Sequence, residues 1–340
     1  MRLSKRDRLA AILSAGGLLR ILEMLARRPR LLVLNYHRIG SCAYNRFDDG
    51  VFSATADAFG DHLRYLRDNF EMLGQEGLLN AAERGFALDH AAAIITFDDG
   101  YRDNFELAFP ILREFGVPAF FFIPTELADR PRLPWWDRIA FIVKNTEADR
   151  LCLEVPRPFK VELGHLGRDR AIWEVLRFFK TADDIEERTF FDHLEARAEV
   201  AVDVETLGRG LFISWDEIRQ MRAAGMVIGS HTHSHRILGR LPEADQRDEL
   251  AVSKARLEAE LGQPVETIAY PVGSRRAFSE LTKRLAREVG YRVGFSYYGG
   301  INCADQTDPF DVRRIAVERS ETFPLFRARS ILYNLVSCSI

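Results

Sequence analysis

Hydrophobic positions along this chain keep two alternating rhythms. Continuous apolar runs at residues 31–37, 92–97, 119–123, 226–229, 267–270 and 293–297 read as strands buried on both faces, the pattern of a parallel sheet. Between them, apolar residues recur at helical spacing. Phe59, Leu63, Leu66 and Phe70 line one face of a helix predicted over 56–69, and helices predicted over 104–115, 243–261 and 279–289 are each stopped by a glycine, Gly116, Gly262 and Gly290. Ser214 followed by Glu217 has the spacing of a capping box, so another helix starts there. Strand-then-helix units without an internal sequence repeat predict parallel strands joined by right-handed crossovers, an α/β fold of the (β/α) barrel kind, distorted or incomplete.

The rhythm changes in two places. Over 131–210 the strands give way to charged helical stretches around an irregular, proline-containing piece, which predicts a mostly helical insertion in a barrel spanning 31–330, with 331–340 as a tail. Ahead of the barrel, Leu9, Ile12, Leu13, Leu18, Leu19, Ile21, Leu22 and Leu25 make residues 1–30 an amphipathic helix, with Arg20, Glu23 and Arg27 on its polar face. Such a helix either docks on the protein's own core or makes a peripheral membrane contact through residues 1–28. Arg20 and Glu23 interrupt the apolar run and no small-residue cleavage pattern follows, so neither a signal peptide nor a membrane crossing is predicted.

A formal net charge of −3 over 340 residues, with both signs mixed along the chain, argues against a nucleic-acid partner. Cys42, Cys152, Cys303 and Cys338 are scattered and form no C-x-x-C pair. That suits neither a zinc knuckle nor a secreted disulfide framework, and free thiols in a reducing, cytoplasmic compartment are expected.

Reactive groups of a barrel gather at the C-terminal ends of its strands. The residues that follow the predicted strands converge there: Asn35, Tyr36 and His37; Asp98 and Asp99; Thr125 and Glu126; His231, His233 and His235; Pro271, Val272 and Gly273. His231 and His235, four positions apart, can face one metal ion while His233 points elsewhere. Two histidines and one carboxylate make the donor set of a zinc hydrolase, so one of the adjacent aspartates suffices as ligand and the other is left to act as general base toward water. Tyr36, Tyr101, Trp135, Trp136, Tyr270, Tyr297 and Tyr298 are candidates for stacking on a sugar face, core packing being the other use of each.

Thr96-Phe97-Asp98-Asp99-Gly100, His231-Thr232-His233-Ser234-His235 and Ala269-Tyr270-Pro271-Val272-Gly273, in this order, resemble the motifs of polysaccharide deacetylases of the NodB-like type, carbohydrate esterase family 4. The likeness covers residues 31–130 and 211–320. It implies a distorted or incomplete seven-stranded (β/α)7 barrel and a metal-dependent hydrolase that removes the N-acetyl group of an amino sugar in a cell-surface or exported polysaccharide or its precursor. By the resemblance, Asp98 is the catalytic base, and Asp99, His231 and His235 hold a divalent ion, Zn2+ by preference, with Co2+, Ni2+ or Mn2+ as alternatives. The Tyr270-Pro271-Val272-Gly273 segment then binds substrate and oxyanion, with Tyr101 and Trp135 expected beside the sugar.

Three features depart from the family pattern, one of them Val272 in place of the motif tyrosine, where the backbone N–H that the resemblance assigns to the oxyanion is kept. Ala269 stands where the family has an arginine that orients the base, so Arg275, Arg276, Arg313 or Arg314 is expected to replace it from elsewhere. No histidine follows His235 to serve as the late general acid, and His37, in a Tyr36-His37 pair, is expected to help as acid or substrate contact. These departures keep open a glycan-binding relative that has lost turnover, and a deformylase of a lipid-linked amino sugar, which needs the same metal and base but a smaller acyl pocket, is a second alternative. A cytoplasmic enzyme, peripheral at the membrane, would meet a lipid-linked or nucleotide-linked precursor rather than mature polymer.

Overall fold

The computed structural model describes residues 4–15, 17–25, 29–164, 167–182 and 185–335. They fall into two compact units, one of residues 1–40, 52–129 and 213–340, the other of residues 41–51 and 130–212.

In the first unit seven parallel strands curl into a half-barrel: β1 (Leu31–Tyr36), β2 (Ala92–Phe97), β3 (Phe120–Ile123), β4 (Val227–Ser230), β5 (Thr267–Ala269), β6 (Val293–Phe295) and β7 (Ile315–Ala316). Their order, β6-β5-β4-β3-β2-β1-β7, makes the fold a distorted (β/α)7 barrel. Six of these strands coincide with the apolar runs. β7 does not, because a two-residue strand has no period to read. Just ahead of it Val312 bridges Phe295 of β6, while Ile315 pairs with Leu34 of β1, so residues 312–316 span the gap between the two ends of the sheet.

Side chains on the strands alternate between two apolar clusters. Leu32, Leu34, Ala93, Ile95, Phe97, Phe121, Ile123, Ile228, Ile268 and Tyr270 belong to the cluster shared with the surrounding helices. Leu31, Val33, Ala92, Ile94, Phe120, Phe122, Val227, Ala269, Val293 and Phe295 form the other, inside the barrel. Phe122 fills this interior so closely that a Cβ on Gly229 would lie 2.5 Å from its ring. Continuing the inward parity along β1, β2 and β4 brings Asn35, Thr96, Asp98 and His231 to the open end of the interior, and this period of two is what positions the site.

The predicted helix stops hold: Gly116, Gly262 and Gly290 cap their helices in the left-handed conformation, and Ser214 and Glu217 form both bonds of a capping box. The amphipathic N-terminus, expected as one helix, is two, α1 (Lys5–Ala15) and α2 (Leu18–Leu25), broken at Gly17, whose φ is +73°. The C-terminal helix Phe323–Leu335 runs into the expected tail, of which residues 336–340 lie outside the described residues. No helix among the described residues is long and apolar enough to cross a membrane.

The second unit is mostly helical, with helices Trp135–Asn145, Arg168–Thr181, Glu187–Ala198 and Val204–Gly208. Its proline-containing piece, read as irregular, is an antiparallel hairpin that pairs Arg150–Leu153 with Phe159–Glu162. The expectation of free thiols holds for Cys42 and Cys152 and fails for Cys303, which is disulfide-bonded, because scatter along a sequence says nothing about separation in space. Cys338 lies outside the described residues.

One buried titratable group makes the stability of the first unit depend on pH. His62, packed flat on Phe326 at 3.8 Å and 3.1 Å from the Tyr36 hydroxyl, is pushed by burial from its ordinary 6.5 to about 4. The imidazole is therefore neutral in the fold but takes up a proton when unfolded, so its contribution is complete above pH 6.5 and is lost as the pH falls toward 4. Burial raises Glu321 to about 7, with the opposite sign over an overlapping window, so the native protein does not show the histidine's contribution by itself. The stability of His62→Gln relative to the native protein isolates the histidine. Urea unfolding is expected to show that variant gaining about 3 kcal/mol on the native protein between pH 7 and pH 4, and an unchanged difference would rule the linkage out.

Candidate metal centre and its base

Adjacent residues of a strand point to opposite faces, which would separate Asp98 from Asp99. The chain avoids this by turning left-handed at Asp99, where φ is +71°. Both carboxylates then reach one imidazole: Nε2 of His231 lies 3.9 Å from Asp98 Oδ2 and 3.5 Å from Asp99 Oδ1. His235 Nε2 approaches the same Asp99 oxygen at 3.2 Å.

Asp99, His231 and His235 are buried, and one ligand atom from each lies within 4.8 Å of the others. Tetrahedral ligands about 2.0–2.1 Å from a zinc-like ion stand about 3.3 Å apart, which the 3.2 and 3.5 Å separations match. The donor chemistry agrees as well. His231 Nδ1 donates to the Ala269 carbonyl at 2.7 Å, which leaves Nε2, on the Asp99 side, as the nitrogen available to an ion. These residues fit a divalent ion.

The third histidine is placed differently. His233 Nδ1 lies 2.8 Å from Thr125 Oγ1, away from the cluster, as the spacing suggested. Glu249 braces the loop, accepting from the His233 and Ser234 amides at 3.0 and 2.8 Å and from the Ser234 hydroxyl.

Asp98 is held by a group that the sequence left among four candidates. Arg314, fully buried, donates through Nη1 to Asp98 Oδ1 at 2.7 Å and through Nη2 to Oδ2 at 2.8 Å. The guanidinium is fixed in turn by the Ser296 carbonyl at 2.9 Å and by Asn35 Oδ1 at 2.9 Å, while Asn35 Nδ2 lies 3.2 Å from Asp98 Oδ2. Arg314 can reach this point because residues 312–316 bridge the sheet ends. Arg275 and Arg276 are exposed, and the Arg313 guanidinium stacks 5.8 Å from the Tyr298 ring.

Burial drives the Asp98 carboxyl up, but Arg314, His231 and the other neighbours outweigh it and hold it below the ordinary carboxylate range. Burial likewise works against Asp99, and its hydrogen bonds to His231 and His235 hold it well below that range. His37 goes the other way: burial lowers it, and the attraction of Asp99 and Asp98 only partly restores it, so the ring is neutral. Half-buried, it stands edge-on to Tyr297 with ring centroids 5.6 Å apart, and its carbonyl accepts from Asn104 Nδ2 at 2.7 Å.

Val272 is left-handed, at φ +62°, and its amide makes no hydrogen bond among the described residues. The Gly273 carbonyl accepts from the Tyr297 amide at 2.7 Å, and a Cβ on Gly273 would lie 2.6 Å from Tyr297, so the segment around Pro271 is locked onto the chain after β6.

Three aromatic expectations need correction. Tyr270 has the outward parity: its ring stacks on Phe278 at 4.4 Å and its hydroxyl donates to the Phe310 carbonyl at 3.0 Å, in the core outside the barrel. Tyr101 is wholly buried beneath the Arg38 guanidinium, 4.7 Å away. Trp135 belongs to the core of the second unit, stacked on Phe179 at 4.7 Å. Burial, which the sequence pattern does not resolve for single aromatics, takes each ring for packing. In the sequence Arg314 is one of four candidates, Asn35 a strand-end residue without a role and Tyr297, whose ring lies 5.7 Å from the Arg314 guanidinium carbon, a candidate for stacking on sugar; sequence reasoning does not join the three around Asp98.

The sequence profile described as polysaccharide deacetylase matches residues 87–155 and 167–294, more than half of the chain. YxkH of Bacillus subtilis (strain 168), assigned by its name only provisionally to the polysaccharide deacetylases, is 22% identical over 278 residues, covering 82% of this chain and 68% of its own. Among solved structures, the Streptococcus pyogenes deacetylase PplD in complex with acetate superposes with a TM-score of 0.59 at 17% identity, covering 89% of this chain and 98% of its own. IcaB from Ammonifex degensii gives 0.56 at 18%, covering 91% and 99%. At such identities the two structures speak for the fold.

Proposed function

Because the chain belongs to the polysaccharide deacetylase family and is a hydrolase of carbon–nitrogen bonds, we propose that it is a metal-dependent enzyme removing the N-acetyl group of an amino sugar, in a cell-surface or exported polysaccharide or its lipid-linked precursor. The observation that carries this reading is a base and a donor set sharing one histidine, with Asp98 clamped by Arg314 on one side and Asp99, His231 and His235 gathered on the other.

An ion held by Asp99, His231 and His235, zinc being the best match to two nitrogens and an oxygen, would polarise the acetyl carbonyl and make a water more acidic. Asp98, ionised and fixed by Arg314, takes a proton from the attacking water as its oxygen bonds to the acetyl carbon. The Val272 amide donates to the carbonyl oxygen as that oxygen gains charge. Asp98 then returns the proton to the sugar nitrogen as the carbon–nitrogen bond breaks, giving acetate and a free amine. His37, neutral and at the rim, contacts the substrate rather than standing ready as a charged acid.

The reading of a relative that has lost turnover rests on the arginine missing at Ala269 and on the missing late histidine; the Arg314 clamp on Asp98 answers the first ground only. Acetate against formate release from matched substrates separates deacetylase from deformylase. The native protein, loaded with zinc or cobalt, is expected to release acetate from an acetylated amino-sugar oligomer and to keep its ion through dialysis. His231→Ala is expected to lose both properties, measured by elemental analysis and by acetate assay. Retention of metal by that variant would exclude the assigned ligand set.

A further inference from the structure

The two N-terminal helices are accounted for on one side only. Ala10 and Leu19 are buried against Ala328 and Ile331 of the C-terminal helix, with Leu13, Leu22 and Leu325 packed around them. Both acidic residues of the pair are engaged on this inner side. Asp7 accepts from the Thr322 hydroxyl at 2.8 Å and from Ser4, and Glu23 holds Arg327 through two bonds of 2.9 Å.

The outer side has the reverse composition. Lys5, Arg8, Leu9 and Ile12 lie along one stripe of α1, and Leu18, Arg20 and Ile21 are exposed on α2 after the break at Gly17. Leu9, Ile12, Leu18 and Ile21 are 58%, 69%, 43% and 54% exposed, although water is the least favourable surrounding for such side chains. Lys5, Arg6, Arg8 and Arg20 are exposed too, and none forms an ion pair among the described residues. The exposed surface of the pair therefore carries positive charge and large aliphatic groups, with no described acidic side chain to balance them.

We infer that this outer face of α1 and α2 is a docking surface for an anionic phospholipid bilayer. Unpaired basic side chains complement acidic headgroups, and their flexible stems let leucine and isoleucine enter the acyl boundary beneath the charges. The inner face, clamped to the C-terminal helix by Asp7 and Glu23, ties that contact rigidly to the barrel unit. The inference gives the proposed enzyme access to lipid-linked substrate, but the binding it describes does not depend on that reading.

The experiment is co-sedimentation of the full chain with phosphatidylcholine vesicles, with and without phosphatidylglycerol, alongside acetate release from a soluble acetylated oligomer. The full chain is expected to pellet with the anionic vesicles, to stay in solution with phosphatidylcholine alone, and to be released by salt. Lys5→Glu/Arg6→Glu/Arg8→Glu and, separately, Leu9→Ser/Ile12→Ser/Leu18→Ser/Ile21→Ser are each expected to lower partitioning by at least about tenfold. Both should leave acetate release from the soluble oligomer unchanged and retain the native circular dichroism spectrum. A native protein that stays in solution with anionic vesicles overturns the inference, as does equal binding to both vesicle types. So does a dimer in solution that either variant converts to monomer, since the face then belongs to a second copy. Loss of vesicle binding with acetate release intact, or the converse in the native protein, tells failure of the surface from failure of the proposed activity.

Discussion

Asp98→Asn is expected to lower turnover on an acetylated amino-sugar oligomer by about 10²- to 10⁴-fold, the usual contribution of a positioned general base. The amide is close in shape to the carboxylate but cannot accept the proton of the attacking water. Metal content should be unchanged, because the ligand atoms belong to Asp99, His231 and His235. The substitution also removes the counter-charge of Arg314, which is fully buried. Breaking such a pair from one side costs roughly 3–5 kcal/mol, so the kinetics are to be measured well below the melting temperature of the variant. Turnover near that of the native protein, with zinc bound, would remove Asp98 from the mechanism.

Arg314→Leu tests the same pair from the other side. Without the guanidinium, burial is the dominant influence on Asp98 and its carboxyl rises. The acid limb of kcat/KM is therefore expected to move to higher pH, with the largest loss of activity at the acid end. In the native protein the pKa of Asp98 is depressed, so its contribution to stability is present above the ordinary 3.8 and is lost as the pH falls through the folded value. In the variant the sign reverses: the ionised, unpaired carboxylate destabilises the fold by about 3–5 kcal/mol at neutral pH, and the deficit shrinks on acidification as Asp98 protonates. Arg314→Lys keeps a charge but not the two-pronged geometry, and is expected to fall between. The double variant Asp98→Asn/Arg314→Leu should cost less stability than the sum of the single ones, because neither charge is left alone. A pH profile unmoved by Arg314→Leu would show that the arginine is structural only.

The elements that the sequence made legible share a cause. A strand buried on both faces must be apolar throughout, and a helix packed on a sheet must be apolar on one stripe, so six strands of the barrel and the long helices are written in local composition. Asp99, His231 and His235 were readable because a metal constrains both the kind of donor and its spacing. Tyr270 was misplaced although a signal existed, since Ala269 and Tyr270 must face opposite ways and only one can look into the barrel. Tyr101 and Trp135 gave no such signal, because whether one aromatic ring is buried depends on everything around it.

Arg314 marks where local information ends. Four arginines could have replaced the one missing at Ala269, and nothing in their neighbours along the chain distinguishes them. The choice is made by closure of the sheet, where Val312 meets β6 and Ile315 meets β1, and of the two arginines between them Arg314 points at Asp98. Local pattern thus marks the strands of the barrel and the aspartate and histidine clusters at their ends, because each obeys a short-range rule of period or spacing. Which side chain holds the base, which aromatics are left for substrate, and which face of the N-terminal helices stays open are decided only in the folded chain. They depend on contacts between residues far apart in sequence, which no local pattern records.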